Sequence, residues 1–128
     1  MPMNPEIKAQ WVADLRSGEF EQGQNYLNVD GKLCCLGVLC EQAVKTGVID
    51  SHDNGYGIVI YDGKDNVLSE KVRAWAGLPE AGPEVVNESN PSVTVDDTAV
   101  SLAELNDGEN GWTRRTFEQI ADIIDAQL

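Results

Sequence analysis

The sequence predicts an α+β domain, four or five helices packed on a small antiparallel sheet, and three observations predict it. Apolar residues recur at helical spacing near both ends of the chain and around its cysteines. Two Asp-Gly pairs, Asp30-Gly31 and Asp62-Gly63, stand beside short β-prone runs. Such pairs favour hairpin turns, which need positive φ at both central positions. The 128 residues are 41% hydrophobic and 24% charged, enough apolar material for one core and too little chain for two.

The elements follow in order. Asn4 is placed to cap a first helix with Pro5 at its first position, Ile7, Trp11 and Leu15 at four-residue spacing, and Gly18 as its stop. Tyr26 to Val29, Asp30-Gly31, then Lys32-Leu33-Cys34 read as a hairpin. It feeds a buried helix in which Leu36, Leu39, Cys40, Ala43 and Val44 share a face, ending at Gly47. Residues 50–57 read as a polar, glycine-bearing loop and Ile58 to Tyr61 as a strand. Ser69 caps a short helix carrying Val72, Trp75 and Ala76, with Gly77 at its end. Residues 78–92, rich in Pro, Gly, Glu and Asn, read as an exposed loop inside one domain spanning 1–128, because the tail beyond would be marginal alone. Val93 and Val95 suggest a brief strand, and Thr98 is placed to cap a helix through Leu102 and Leu105, closed by Asn106-Asp107-Gly108. Last, Thr116 and Gln119 have capping-box spacing, and Phe117, Ile120, Ala121, Ile124 and Leu128 line one face.

Charge narrows the function classes. Against 22 Asp and Glu stand nine Lys and Arg, a formal charge of −13. Such a surface repels a phosphate backbone, so direct nucleic-acid binding is not expected. The acidity then serves solubility, or it docks a basic partner or imitates nucleic acid. No run of about 18 apolar residues spans a membrane, and the N-terminus (Met1 to Glu6) lacks the basic start and apolar stretch of a secretory signal. Cys34, Cys35 and Cys40, three within seven positions, make a poor disulfide framework and fit a reducing cytosol.

The chemistry-bearing candidates are few. Three cysteines without paired spacing, plus His52 in a presumed loop, match no usual zinc pattern. A nucleophilic cysteine would need His52 with Asp50 or Asp53 as base and orienter, and buried packing of the thiols is the simpler reading. Gly31-Lys32 and Gly37 lack phosphate-loop spacing, and no serine sits in a nucleophile-elbow pattern. Carboxylate pairs such as Asp96-Asp97 carry no information in so acidic a chain. No catalytic residue, metal or cofactor is therefore expected. One constellation suits an anion: Trp112, Arg114, Arg115 and Thr116, just before the last helix. Helix N-termini offer free N–H groups, Trp112 would stack on a base, and the arginines would hold phosphate. Alternatively Trp112 folds onto the core and the arginines pair with Asp107, Glu109 or Glu118.

Four strings recur in a familiar order: Trp11 to Gly18 followed by Gln22-Gly23; Cys34-Cys35-Leu36-Gly37-Val38-Leu39-Cys40; Val72 to Leu78; and Leu105-Asn106-Asp107 leading to Phe117 through Ile124. Together they resemble a family of small proteins of tailed phages and prophages over nearly the whole chain, the cysteine string being the most specific part. The family brings no catalytic residue to carry over. Residues 107–115 depart from it, being longer and more basic than the short glycine turn expected there. The resemblance implies a phage accessory protein made in the cytoplasm of a bacterial host. The leading reading of the chain is that it acts without catalysis by binding a host or phage protein, including a defence component. A small-ligand, nucleotide-type binder using Trp112, Arg114 and Arg115 is the second class, and a small enzyme the third.

Overall fold

The computed structural model describes residues 3–78, 92–95, 98–108 and 113–128, and it is α+β as the sequence predicts. Helix α1 (Pro5–Arg16) begins where the Asn4 side chain accepts the N–H groups of Glu6 (2.9 Å) and Ile7 (3.3 Å), two of the donors left free at a helix start. It buries Ile7, Trp11, Val12 and Leu15. After Gly18, whose φ of 76° only a residue without Cβ adopts freely, the chain forms a three-stranded ladder. Its members are β1 (Glu21–Gln22), β2 (Asn28–Val29) and β3 (Lys32–Leu33), in the order β1-β3-β2. Asp30 (φ 52°) and Gly31 (φ 82°) make the predicted hairpin turn between β2 and β3. The pairing of β1 with β3 is parallel, an exception among otherwise antiparallel ladders.

Helix α2 (Cys35–Lys45) follows at once and runs through the middle of the core. Every residue from Cys35 to Cys40 is buried, so it is apolar all round for two turns where the sequence suggested a single face. The Trp11 indole N–H donates to the Cys35 carbonyl oxygen (2.9 Å), tying α1 to its first turn. Strands β4 (Ser51–Asp53) and β5 (Val59–Tyr61) then pair with His52 opposite Ile60. Residues 50–57 are thus not wholly a loop. Ser-His-Asp has little intrinsic strand preference, and the ladder to β5 decides its conformation. Asp62 (φ 51°) and Gly63 (φ 81°) end β5 in a second turn of the same hand.

Helix α3 (Glu70–Ala76) is capped by Ser69 and stops at Gly77, as the sequence indicates. Most of the expected exposed loop at 78–92 lies outside the described residues, but its ends differ from expectation: Leu78 is buried and Ser92 begins a strand. Strands β6 (Ser92–Val95) and β7 (Thr98–Ser101) form a hairpin with Val95 opposite Thr98. Thr98 is therefore a strand residue and not a helix cap, because cross-strand pairing outcompetes its capping preference. Helix α4 begins only at Leu102 (Leu102–Asp107). Helix α5 (Phe117–Gln127) closes the fold with a complete capping box between Thr116 and Gln119 (3.2 and 3.0 Å). It packs along α1, and Arg16 bonds Asp122 across them at 2.6 Å. Trp11, Leu27, Leu36, Leu39, Leu102, Leu105, Ile120 and Ile124 are fully enclosed in one core cluster.

Candidate functional site

Of the residues singled out for anion binding, Arg114 and Arg115 fall at a polar junction centred on Asn106, which is completely buried near the end of α4. Its carboxamide oxygen accepts the Cys35 backbone N–H (3.1 Å) and the Gln22 side-chain N–H (2.9 Å). Its nitrogen donates to the Gly23 carbonyl and to the Asp107 carboxylate, both at 2.9 Å. One side chain thus satisfies the first turn of α2 and the end of β1 together. Arg114 joins from outside: Nε donates to the Asn106 carbonyl (3.2 Å) and Nη2 to the Gln22 carbonyl (3.3 Å). Arg115 is half-buried, its backbone N–H donating to Leu105 and its carbonyl accepting from Gln22, while its Nε is buried without a partner. Thr116 spends its hydroxyl on the capping box. Trp112 and Glu109 lie outside the described residues. The structure therefore brings Arg114, Arg115 and Thr116 together, the Arg114 guanidinium held by two main-chain carbonyls and Arg115 tied through its own main chain.

This junction predicts a mutational result. Asn106→Ala should cost about 3 kcal/mol or more, since buried main-chain groups of Cys35 and Gly23 lose their partner. Asn106→Asp, though the same shape, should lose a similar amount, because an acceptor would then face the Gly23 oxygen and the Asp107 carboxylate. Urea unfolding measures both, and an Asp variant as stable as the parent would refute the hydrogen-bond assignment.

The cysteines and His52 do not meet. Cys34, Cys35 and Cys40 are free and buried at α2, whereas His52 is exposed on β4. Among the described residues, no group of three His, Cys, Asp or Glu could hold a metal ion. Burial pushes the Cys34 thiol up to about 12, and it raises Cys35 and Cys40 well above the ordinary thiol value. Thiolates are thus disfavoured where a nucleophile would need one. Tyr61, fully buried, donates to the Glu41 carboxylate (3.1 Å) and accepts from the Asn28 amide (3.1 Å). Burial raises its phenol too, and the Glu41 charge adds to the effect against the pull of the Asn28 hydrogen bond. Among the described residues no helix is long and apolar enough to cross a membrane.

A feature that residue types alone did not single out is Tyr56, the one large hydrophobic side chain exposed among the described residues, at 86%. The loop joining β4 to β5 holds it there. The Asp53 carboxylate accepts the Gly55 N–H (2.7 Å), and the Asn54 side chain accepts those of Tyr56 (2.8 Å) and Ile58 (3.4 Å). Asn54 N–H closes the loop on the Ile58 carbonyl (2.9 Å), and the Gly57 carbonyl accepts from Asp30 of the neighbouring turn (2.7 Å). A Cβ at Gly57 (φ 83°) would run into the Asp30 carboxylate, so glycine permits the two turns to touch. Exposed Asp30 and Asp53 flank the tyrosine, and exposed Asp50 and Asp62 stand at the far end of the same two strands. The usable sequence signal was an aromatic between two glycines in a polar loop.

A family model described as a domain of unknown function (DUF8296) matches residues 3–128. No curated protein and no solved structure matches the chain.

Proposed function

The chain belongs to the DUF8296 family, and we propose that it is a non-catalytic binding protein that docks a basic protein partner through its β4–β5 hairpin. In this reading it is a phage accessory protein acting in the cytoplasm of a bacterial host, a context supported by the order of its sequence motifs. The observation that carries the proposal is Tyr56, held 86% exposed on a loop whose Gly55, Tyr56 and Ile58 N–H groups are already bonded. A tyrosine presented this way loses little freedom on binding and contributes large contact area, which is why tyrosines concentrate at binding hot spots. The aspartates around it, on a chain of net charge −13, select a partner of opposite sign and speed its approach.

The nucleotide-type reading has less support, because Arg114 already donates to two carbonyls and the Thr116 hydroxyl is committed to its helix. The test is affinity capture from bacterial lysate at rising salt. Wild type should retain a basic protein whose recovery falls as salt screens the contact. Tyr56→Ala should lower recovery about tenfold or more, the range of a hot-spot residue, with no change in melting temperature. Capture that is indifferent to Tyr56→Ala would remove the hairpin from consideration.

A further inference from the structure

A groove of about 530 Å³ runs between α1, α2 and α3, away from the tyrosine-tipped hairpin. Glu6, Ile7 and Asp14 of α1 line one wall, Gln42 and Lys45 of α2 another, and Trp75 of α3 a third. Its size is that of a small-molecule site. We propose that it binds an aliphatic polyamine, a slender methylene chain carrying several ammonium groups.

Two independent features point to this chemistry. The first is the arrangement of charge. Glu6 and Asp14 are eight residues apart on α1, and at 1.5 Å rise per residue their backbones are separated by about 12 Å along the groove. One metal ion cannot bridge carboxylates so far apart, but a long polyamine reaches both, its methylenes lying over Ile7 and the half-buried Trp75 ring between them. An ammonium group over that ring gains further attraction from its π face. Lys45 also lines the groove, with its ammonium 6.0 Å from the centroid of the Phe20 ring, so the two carboxylates outweigh it by one charge.

The second feature is Gln42. Only 8% exposed, it lines the groove, and its Oε1 is buried with no hydrogen-bond partner. Buried acceptors in folded proteins are nearly always paired, so an orphan at the wall of a cleft marks the place of a missing donor. That oxygen is closed to solvent in the free protein, so binding requires the carboxamide to turn into the groove, where an ammonium N–H of the ligand supplies the missing donor. An anion would meet two carboxylates and this unpaired oxygen. The charge of −13 also concentrates polycations near the surface before they enter.

Titration calorimetry of the full chain with spermidine at low salt tests this, with magnesium chloride of matched ionic strength, n-butylamine and a lysine-rich peptide as separate arms. Spermidine should bind one to one and change tryptophan fluorescence. Glu6→Gln and Asp14→Asn should each weaken it about tenfold, and Gln42→Leu should weaken it without lowering the melting temperature. Tyr56→Ala should leave it unchanged, which separates this site from the protein-docking hairpin. The inference is overturned if magnesium competes fully at equal ionic strength or butylamine binds as tightly. It is equally overturned if only the peptide binds, or if the three groove variants, each folded by its melting curve, bind spermidine like the parent.

Discussion

Gly37→Ala is expected to lower stability by about 3 kcal/mol, at the upper end of what a single added methyl does in a packed interior. The direction is not obvious from the helix itself. Glycine in a helix interior is about 1 kcal/mol worse than alanine, so α2 viewed alone would gain from the change. Packing decides the sign. A Cβ at Gly37 would fall within the main-chain carbonyl group of Leu27, the residue just before β2. That carbonyl cannot turn aside freely, since it accepts the Cys34 N–H (3.2 Å) at the junction of β3 and α2. Room for the methyl therefore comes only by moving the hairpin off the helix, in a domain whose total margin is about 5–15 kcal/mol. Urea unfolding with Gly47→Ala as companion is informative, because Gly47 has open space around it and only its φ of 80° resists substitution. A Gly37→Ala protein more stable than its parent would mean that α2 does not touch the hairpin as described.

Alkaline pH should unfold the protein more steeply than its surface charge explains. Burial holds the Cys34 thiol at about 12 and keeps Cys35 and Cys40 raised, with smaller contributions from neighbouring charges. In the unfolded chain thiols release their protons near 9.0. A raised folded value means the native state binds protons that the unfolded state has lost. Stability is then fully present below pH 9 and falls as pH climbs from 9 towards 12. Each thiol contributes a slope of about 1.4 kcal/mol per pH unit, so three contribute roughly 4 kcal/mol per unit. Tyr61, raised for the same reason, joins above pH 10. Unfolding is expected between about pH 9 and 11 at room temperature, and in Cys35→Ala, Cys40→Ala protein the thiol part of the slope should shrink by about two-thirds. Fast reaction of the native thiols with a disulfide reagent at pH 8 would contradict the burial on which this rests.

Much of this fold was legible in the chain because its local signals are chemical and unambiguous. Asn4, Ser69 and Thr116 cap where capping residues should, and both Asp-Gly turns adopt the positive φ values that pair favours. What escaped was decided by pairing and contact between segments. Ser51 to Asp53 and Thr98 to Ser101 are strands by pairing and not by preference. The parallel register of β1 with β3 needs Gly23 to donate its N–H to the Leu33 carbonyl (2.7 Å). Asn106 looked like the end of a helix, and its type gives no sign that it is the hub of a buried network. The arginine pair was visible as a basic cluster, but the engagement of Arg114 with the Asn106 and Gln22 carbonyls was not, since main-chain acceptors leave no trace in composition. Tyr56 was hidden for the opposite reason. Its place between two glycines in a polar loop was the one hint, and what sets it apart, exposure, belongs to the folded chain.

The central claim, a basic protein docked on the β4–β5 hairpin, is tested most directly by placing a photo-crosslinking phenylalanine analogue at position 56 and irradiating host cells that express the protein. The expected result is one dominant adduct with a basic protein, absent when the analogue replaces Glu118 on the exposed side of α5. No adduct at position 56, or the same set of adducts from both positions, would contradict it.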